Sequence, residues 1–488
     1  MRVTVIGTGY VGTVTGACLA YLGHQVHCVD MDADKIAKLQ RGEMPIYEPH
    51  LTELLRAASA RGGIHFTTEL SPAASESDVI FIAVGTPPRP NGEANLSYLE
   101  SAARSIGAAM DGERFRVVVN KSTVPVGCGN LVETLVREGI RETHPQEERR
   151  IRFGVASNPE FLREGCAISD SLYPDRIVLG AEEDHTLNTL RALYAPLTAQ
   201  SFDAPEFLPR PAHMTHVPLV ATTLTSAEMI KYAANTFLAM KIGFANEVGN
   251  LCERVGADAI EVMAGIGLDT RIGAKFLNTG LGWGGSCFGK DIQSLLHTAE
   301  EYGYQARLLE AALAVNRAQR QVVIQKLQEK LFILKGRTIA LLGLAFKPDT
   351  DDMRDAPSLQ IAERLVQLGA RVKAYDPIAM PACRAQNPAL KIQYCDSALD
   401  AVFEADAAVL VTEWDEFRGL DLAQIACVMQ QPVLVDGRNL YDPETARSAG
   451  LDYTGIGRSI RPRFNSRNGQ TAESTADSLA TLVDERSK

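Results

Sequence analysis

The sequence predicts an α/β protein: two Rossmann-like doubly wound domains joined by a central helical domain with a long spine helix. Three observations lead to this fold class. A strand, a glycine-rich turn, a helix and a second strand follow one another within residues 3–30. Another series of alternating strands and helices begins at Thr338. Between the two series, apolar residues with helical spacing run over 226–255 and 306–332, as expected for long helices that bury one face.

The expected boundaries divide the chain into four segments. A first α/β domain would cover 1–212, a helical domain 213–330 and a second α/β domain 331–458. Residues 459–488 are polar and show no hydrophobic period, which is typical of a disordered tail. The proline-rich stretch 201–217 is predicted to be a loop.

Composition argues against several classes of protein. The formal net charge is -11, whereas a nucleic-acid binder needs a basic surface. No apolar run is long enough to span a bilayer, and the first residues form a strand rather than a signal peptide. The nine cysteines show no CxxC pair and no zinc-like cluster, which indicates reduced thiols, no metal and a cytoplasmic protein.

The first turn carries a fingerprint of dinucleotide binding. It reads Gly7-Thr8-Gly9-Tyr10-Val11-Gly12. A strand precedes it, and a helix and a second strand ending in Asp30 follow. The glycines allow a pyrophosphate to approach the helix N-terminus, and Asp30 would bind the adenosine ribose and repel a 2′-phosphate. These features predict an NAD site. Lys35 would either reach the cofactor or be solvated on its helix.

Hydroxyl side chains follow two further strands. Thr86 comes after an apolar strand over 79–84, and Ser122 and Thr123 come after a strand over 116–120. In open parallel sheets the carboxyl ends of the strands are where ligands bind. We therefore expect Thr86 and Thr123 at a site, with helix capping as the alternative for the hydroxyls of Ser122 and Thr123.

Two glutamates follow the strand over 155–157. Glu160 and Glu164 are four residues apart in the stretch from Asn158 to Gly165. Either carboxylate would serve as a general base or as a group that orients water. A surface pair of acids is the alternative.

Lys231 and Asn235 also lie four residues apart, on one face of the predicted helix over 226–255. A polar face exposed to water is the usual explanation for such a pair.

One cysteine stands in an unusual setting. The stretch reads Gly282-Trp283-Gly284-Gly285-Ser286-Cys287-Phe288-Gly289-Lys290-Asp291. Close glycines let a backbone pass next to a ligand, and a neighbouring cation favours the nucleophilic thiolate. In a helix starting near Cys287, Lys290 and Asp291 would share its face. A buried cysteine at a helix N-terminus is the alternative.

The second α/β series lacks the glycine fingerprint. Its first strand, over 338–342, leads into 343–348, and a later strand over 433–435 leads into Asp436-Gly437-Arg438-Asn439. This half would bind a different nucleotide, with Arg438 reaching a phosphate or a sugar.

Together these blocks resemble the UDP-glucose 6-dehydrogenase family, among the UDP-glucose/GDP-mannose dehydrogenases, over residues 1–458. The blocks are the glycine turn, 84–87, 121–127, 158–165, 227–235, the cysteine stretch, 343–348 and 351–359. Members oxidise the sugar C6 hydroxyl of a nucleotide sugar to a carboxylate with two NAD⁺ in succession, through a cysteine-bound thioester. The resemblance implies the same reaction here, with UDP-glucose as substrate.

The resemblance also implies roles for individual residues. The catalytic residues would be Cys287, Lys231, Asn235, Asp291, Thr123 and Glu164. Cys287 would be the nucleophile, Lys231 and Asn235 would hold the C6 oxygen and the oxyanion, and the others would position water and move protons. The cofactor would contact Gly7, Gly9, Tyr10, Val11, Gly12, Asp30, Lys35, Thr86, Thr123, Glu164, Lys290 and Arg354. The nucleotide sugar would contact Glu160, Phe161, Leu162, Lys231, Asn235, Arg271, Phe276, Leu277, Gly284, Lys347 and Arg438.

Arg271 would reach the substrate from the partner subunit of a homodimer, or of a higher homo-oligomer, formed through the helical domain. The sequence departs from the family at His50, where glycine is frequent, at Cys128, where threonine is frequent, and at Gly289, where proline is frequent. The loop over 201–217 is also longer than usual.

Two other classes of function compete with this interpretation. A one-step alcohol or hydroxyacid dehydrogenase would share the fold but would not need Cys287. A non-catalytic NAD-binding regulator would not need Cys287 together with Lys231, Asn235 and Glu164. Within the family, GDP-mannose or an N-acetylated UDP sugar are alternative substrates.

Overall fold

The computed structural model describes residues 1–458, so the predicted tail over 459–488 lies outside the described residues. The chain divides into two compact units. The first contains Met1–Ala234 and Lys290–Gln305, and the second contains Asn235–Gly289 and, of the described chain, residues 306–458.

The first unit is built on an eight-stranded sheet. Its strands are β1 (Arg2–Ile6), β2 (Gln25–Val29), β3 (Ile64–Thr67), β4 (Val79–Ile82), β5 (Arg116–Asn120), β6 (Phe153–Ser157), β7 (Ile177–Ala181) and β8 (Leu219–Thr222). They lie in the order β3-β2-β1-β4-β5-β6-β7-β8. All neighbours run parallel except β6 and β7. The order of the first six strands is that of a doubly wound Rossmann sheet, which confirms the predicted fold of this half.

Helices cover both faces of this sheet. They are α1 (Tyr10–Tyr21), α2 (Ala33–Gln40), α3 (Leu51–Ala60), α4 (Leu70–Glu76), α5 (Ser97–Ala109), α6 (Cys128–Thr143), α7 (Ala167–Leu172) and α8 (Asp184–Thr198). Side chains of a strand alternate between its two faces. Accordingly Val117 and Val119 of β5 join one apolar core, with α1 and α3. Val118 joins the other core, with α5 and α6.

The predicted helical stretch between the two α/β halves is confirmed. It contains α9 (Leu224–Val255), α10 (Ala259–Gly267), α11 (Phe288–Glu301) and α12 (Arg307–Leu331). Helix α9 has 32 residues and α12, the predicted spine helix, has 25. Among the described residues no helix is long and apolar enough to cross a membrane.

The second unit repeats the strand order of the first. Its strands are β9 (Thr338–Leu342), β10 (Arg371–Tyr375), β11 (Gln393–Tyr394), β12 (Ala407–Leu410), β13 (Val433–Asp436) and β14 (Asp452–Gly455). Its shorter helices are α13 (Pro357–Gln367), α14 (Met380–Gln386), α15 (Ala398–Val402), α16 (Asp415–Arg418), α17 (Leu422–Val428) and α18 (Pro443–Ser448). All six strands are parallel, in the order β11-β10-β9-β12-β13-β14.

The acid that ends the second strand differs between the two units. In the second unit this acid is Asp376, and its carboxylate accepts hydrogen bonds from the backbone N–H groups of Leu344 and Ala345 at 2.7 and 3.0 Å. The indole of Trp414 donates to it as well, at 3.0 Å. Asp376 therefore holds its own strand-end loop together, in keeping with a second half that lacks a dinucleotide fingerprint.

Some features of the fold were not predicted. Strands β3, β8, β11 and β14 were not predicted, and no residue pattern in β7 indicates that it runs antiparallel to β6. The loop over 201–217 is confirmed, since it contains neither helix nor strand. It is anchored to the first unit, where Tyr21 donates to the Asp203 carbonyl at 2.9 Å. His50, with φ 64°, stacks on Phe207 at 5.1 Å between ring centroids.

Candidate active site

The glycine turn after β1, residues 7–12, has the space that a dinucleotide requires. Gly7 has φ +96°, and a Cβ added there would lie 2.6 Å from the Ala83 carbonyl oxygen. A Cβ on Gly12 would lie 1.8 Å from the Gly7 oxygen, so both positions demand glycine. Around Gly9, by contrast, no atom lies within 4 Å of an added Cβ. The backbone of Gly9 thus borders open space at the N-terminus of α1, where a pyrophosphate would bind.

Asp30 ends β2 beside this turn. Its Oδ2 accepts hydrogen bonds from the backbone and the hydroxyl of Thr8, both at 2.8 Å, and from Lys35 Nζ at 3.1 Å. Although burial opposes ionisation, these bonds and one from the Asp32 backbone hold the pKa of Asp30 below its ordinary value. Asp30 is thus a carboxylate at neutral pH. Lys35 is bound to the acid predicted to contact the ribose.

Thr86 and Thr123 meet at the carboxyl edge of the sheet. The Thr86 hydroxyl donates to the Thr123 carbonyl at 2.8 Å, and the Ser122 hydroxyl donates to the Val84 carbonyl at 2.8 Å. Neither Ser122 nor Thr123 caps α6, whose N-cap residue is Gly127. The interpretation of these hydroxyls as helix caps is therefore wrong.

A glutamate that the sequence analysis did not single out supplies the cap instead. Glu228 of α9 is buried, and its two carboxylate oxygens accept the N–H groups of Gly127 at 2.6 Å and Gly129 at 2.7 Å. It thereby joins α9 to the segment that bears Thr123. Burial raises the pKa of Glu228 to about 7, against the lowering effect of the two hydrogen bonds.

Lys231 and Glu160 form a buried ion pair, the Lys231–Glu160 pair. Lys231 Nζ lies 2.9 Å from Glu160 Oε1, and the side chains are only 4% and 7% exposed. The second oxygen of Glu160 accepts the N–H of Leu162 at 2.9 Å. The ring of Phe161 faces Lys231 Nζ at 5.3 Å and the Arg176 guanidinium at 3.7 Å. An exposed helix face is thus the wrong explanation for Lys231, and a surface acid is the wrong one for Glu160.

Asn235, one turn further along α9, is buried as well. Glu164 is partly exposed, and the residues after it are held by Glu48. The Glu48 carboxylate accepts the N–H groups of Gly165 at 2.6 Å and Ala167 at 2.7 Å, and the hydroxyl of Tyr10. Glu48 therefore links the glycine turn to the segment that carries Glu164.

Helix α11 begins at Phe288, one residue after Cys287, as predicted. Its first turn contains Lys290, whose Nζ lies 2.7 Å from Asp291 Oδ1. Asp291 is fully buried. One turn later Ser294 is hydrogen-bonded to the Tyr232 hydroxyl of α9 at 3.0 Å. An ammonium and a carboxylate are therefore fixed in the first turn of this helix.

Cys287 is exposed, whereas six of the nine cysteines are buried. The interpretation as a buried structural cysteine is therefore wrong. Its Sγ lies 3.5 Å from the Ser286 hydroxyl. Its place at the N-terminus of a 14-residue helix favours the thiolate, because the partial positive charge of the helix end attracts an anion. Cys287 combines the accessibility and the electrostatic setting that a nucleophile needs.

The cysteine turn, residues 282–287, is held rigidly within the second unit. The side chain of Asn316 bonds both the N–H and the carbonyl of Trp283, at 2.8 and 3.0 Å. Arg320 donates to the same carbonyl at 2.9 Å and forms an ion pair with Asp355 at 2.8 Å. A Cβ on Gly284 would lie 2.5 Å from the Asp355 carbonyl oxygen. Here glycine is required by the close approach of the protein's own backbone.

Arg438 braces this turn against the strand-end loops of the second sheet. Its guanidinium donates to the carbonyls of Val411, Gly282 and Phe346 at 2.8, 3.2 and 3.2 Å. The ammonium of Lys347 lies 5.7 Å from the centre of the Phe346 ring. These loops lie at the carboxyl ends of β9 and β12, the edge where doubly wound sheets bind ligands.

The remaining predicted contact residues lie on exposed loops or near them. Arg354 pairs with Asp352, and Arg271, whose side chain is 88% exposed, pairs with Asp269. Phe276 has φ 65°, and Leu277 is buried. Lys241, which the sequence analysis missed, donates to three carbonyls of this loop, those of Ile272, Gly273 and Lys275.

Three domain profiles match the chain in order. Residues 1–198 match the NAD binding domain of the UDP-glucose/GDP-mannose dehydrogenase family, 225–318 its central domain and 340–443 its UDP binding domain. The chain belongs to the UDP-glucose/GDP-mannose dehydrogenase family. It is an NAD-dependent oxidoreductase that acts on a nucleotide sugar.

Similar members of the family match this dehydrogenase over nearly its whole length. The UDP-glucose 6-dehydrogenase of Rhizobium meliloti is 46% identical over 465 residues, 94% of this chain and 100% of the relative. The UDP-glucose 6-dehydrogenase TuaD of Bacillus subtilis is 44% identical over 457 residues, 94% and 93% of the two chains. A solved UDP-glucose dehydrogenase from Pyrobaculum islandicum superposes with a TM-score of 0.82 at 37% identity, covering 93% of this chain and 97% of that one.

A relative with another substrate in its name is more distant. The structure of a UDP-D-ManNAc dehydrogenase from Pyrococcus horikoshii superposes with a TM-score of 0.78 at 27% identity, covering 94% of this chain and 99% of that one. The fold is therefore shared by family members whose names give different sugars, and the fold alone does not select among them.

The stability of the dehydrogenase should depend on pH through Glu228. Because folding raises the pKa of Glu228 from 4.5 to about 7, its contribution to stability is fully present below pH 4.5 and is lost as the pH rises to about 7. Glu228→Gln stays neutral throughout. We therefore expect the difference in melting temperature, wild type minus Glu228→Gln, to be larger at pH 5 than at pH 8 when unfolding is followed by circular dichroism.

A surface variant is the control for that measurement. Glu133 is exposed and paired with Arg137, so Glu133→Gln should change the melting temperature little and equally at both pH values. An equal difference between wild type and Glu228→Gln at pH 5 and pH 8 would show that Glu228 does not titrate in this range.

Proposed function

We propose that this dehydrogenase oxidises UDP-glucose at C6 to UDP-glucuronate, consuming one water and reducing two NAD⁺. The observation that carries the proposal is the exposed Cys287. It precedes α11, in a turn that side chains of the second unit hold in place. A one-step dehydrogenase has no use for such a thiol, because it releases its aldehyde or ketone as product. The 44–46% identity to relatives named UDP-glucose 6-dehydrogenases supports the choice of sugar.

The chemistry follows from the need to retain an aldehyde midway. NAD⁺, when bound, accepts a hydride in each of the two oxidations. After the first, the Cys287 thiolate would attack the C6 aldehyde and form a thiohemiacetal. After the second, the sugar is held as a thioester, which an activated water hydrolyses to the carboxylate.

Lys231 and Asn235 would stabilise the oxyanions that form during this reaction. Negative charge develops on the C6 oxygen as an alkoxide and in both tetrahedral stages, and donors aimed at it stabilise those stages most. The ion pair with Glu160 supports this role, because it holds the buried Lys231 ammonium in place. Thr123, Glu164 and Asp291 would position water and move protons, and which of these acts as the general base stays open.

Exposed apolar side chains support a homodimer formed through the helical domain. Phe237, Phe244 and Leu251 follow one another at intervals of seven residues on α9 and are 61%, 54% and 54% exposed. Such spacing puts them on one face of the helix, and we propose that a second copy of the chain covers it. The exposed Arg271 would then reach the partner's substrate. Sedimentation of Phe244→Glu should show monomers where the wild type shows dimers.

Asp30 should make the enzyme select NAD⁺ over NADP⁺. Its carboxylate would contact the adenosine ribose, where it would repel the 2′-phosphate of NADP⁺. We expect kcat/KM with NAD⁺ to exceed that with NADP⁺ by at least roughly tenfold. Asp30→Asn should lower the ratio of kcat/KM with NAD⁺ to kcat/KM with NADP⁺, whereas Asp34→Asn, on the next helix, should leave this ratio unchanged. Equal kcat/KM values in the wild type would refute the assignment of Asp30.

The choice of substrate is tested by NADH production against a panel of nucleotide sugars. UDP-glucose should give two NADH per sugar, while GDP-mannose and UDP-N-acetylhexosamines should react far more slowly. A faster reaction with one of those sugars would move the proposal to that substrate with the same chemistry. We place the reaction in the cytoplasm, and the absence of disulfides among the nine cysteines of the described chain supports a reducing compartment.

A further inference from the structure

Lys121, the residue after β5, is a charged group that the reaction described above does not use. Its Nζ donates to Asn158 Oδ1 at 3.0 Å, and the same oxygen accepts the Tyr194 hydroxyl at 2.6 Å. Asn158 in turn donates to the carbonyl of Val178 at 2.8 Å. Among residues 1–458, the Lys121 ammonium thus donates to a neutral amide alone, which cannot compensate its charge.

Asn158 stands two residues before Glu160. Its backbone N–H donates to the carbonyl of Asn120 at 2.9 Å, which joins the ends of β5 and β6. Lys121 therefore braces the start of the segment that holds the Lys231–Glu160 pair. Glu160 binds Lys231, and the three ionisable groups Lys121, Lys231 and Glu160 carry a net charge of +1 when all are ionised.

The other charged side chains that line the cavity beside Lys121 are Asp170 and Arg176. Asp170 is paired with Arg163 at 2.8 Å, and Arg176 stacks on Phe161. Neither supplies a carboxylate to Lys121. Burial lowers the pKa of Lys121 to about 8, the repulsion of Lys231 lowers it too, and Glu160 opposes both.

We propose that Lys121 is a positioning residue: it fixes the strand end that carries Glu160, and its charge strengthens the hold of Lys231 on the C6 oxyanion. This rests on the proposed function, since it assigns the oxyanion to Lys231. With Lys121 charged, the surroundings of Lys231 are more positive and favour a developing anion. With Lys121 neutral, that part of the stabilisation is lost, and the rate falls without any change of contact.

Two substitutions separate charge from packing. Lys121→Met keeps the length of the side chain without its charge, and Lys121→Arg keeps the charge at every pH used. The ratio of kcat between wild type and Lys121→Met should be on the order of tenfold at pH 7 and should fall towards one above pH 9. The ratio between wild type and Lys121→Arg should be near one at pH 7 and drop below one above pH 9. All other titrating groups are common to the three proteins and cancel.

A ratio for Lys121→Met that stays constant from pH 6 to pH 10 would overturn the proposal, because a purely structural loss does not follow the titration of Lys121. Circular dichroism and NAD⁺ binding check that both variants fold. The charge is also measured without turnover, from the Cε chemical shifts of lysine-labelled protein. We expect one lysine to titrate near pH 8 in the wild type and this titration to be absent from Lys121→Met. If no lysine titrates below pH 10, the proposal is overturned. If the wild type oxidises no nucleotide sugar, the proposed function fails, and the NMR titration still decides the charge of Lys121.

Discussion

Cys287→Ser should abolish conversion of the nucleotide sugar to its acid. A serine hydroxyl is a far weaker nucleophile than a thiolate at neutral pH, and an oxygen ester hydrolyses less readily than a thioester. The helix N-terminus that favours a thiolate at Cys287 cannot ionise a hydroxyl to the same extent. We expect steady-state NADH production to fall by at least roughly 10³-fold, the scale on which single members of a catalytic unit act.

The matched control is Cys427→Ser, which removes another exposed thiol of the chain and should leave turnover unchanged. Mass spectrometry offers a second readout, because a wild-type protein stopped during turnover should carry the sugar on Cys287. A Cys287→Ser protein with normal NADH yield would refute the thioester pathway.

Lys231→Ala should lower kcat by roughly 10²–10³-fold, the usual cost of removing one oxyanion donor, while the affinity for the nucleotide sugar changes little. Charge develops on the C6 oxygen only during reaction, so the ammonium stabilises those stages more than the ground state. The substitution also leaves Glu160 buried without its partner. A lower melting temperature is therefore expected as well.

The lower melting temperature requires a control variant that also removes a buried lysine from an ion pair. Lys326 is a lysine that is 8% exposed and lies 2.9 Å from Glu253, and no step of the reaction uses it. Lys326→Ala should lower the melting temperature while kcat stays near the wild-type value. If both variants lose stability and neither loses kcat, Lys231 is structural. Weaker substrate binding with unchanged kcat would mean that Lys231 holds the substrate equally in ground and transition states.

The sequence allowed much of the fold to be predicted, because the signals concerned are local. The glycine turn before α1 requires a left-handed backbone at Gly7 and space at both Gly7 and Gly12, and only glycine provides them. Strands β5 and β9 were predicted residue for residue, since each is a short apolar run between turns. Helices α9 and α12 were predicted as well, because their apolar residues recur at helical spacing. The domain boundaries at 212 and 330 stay predictions.

The site was predicted less completely, because its electrostatics depend on residues that lie far apart in the chain. Lys231 and Glu160 are separated by 71 positions, and each by itself looks like an ordinary surface charge. Glu48 and Glu228 were missed for the same reason. Each binds backbone N–H groups of a segment more than 95 residues away, and no pattern in the sequence marks such a bond.

The sequence alone determined the two doubly wound halves, the NAD site and Cys287 as the candidate nucleophile, since glycine turns, periodicity and a reactive side chain in its motif are properties of neighbouring residues. Tertiary structure decided which charges are buried and what faces them. It put Lys231 against Glu160, left Lys121 with a neutral amide and raised the pKa of Glu228 to about 7. The physical reason is that desolvation and pairing arise only when distant segments pack together, and they set the ionisation on which the chemistry depends.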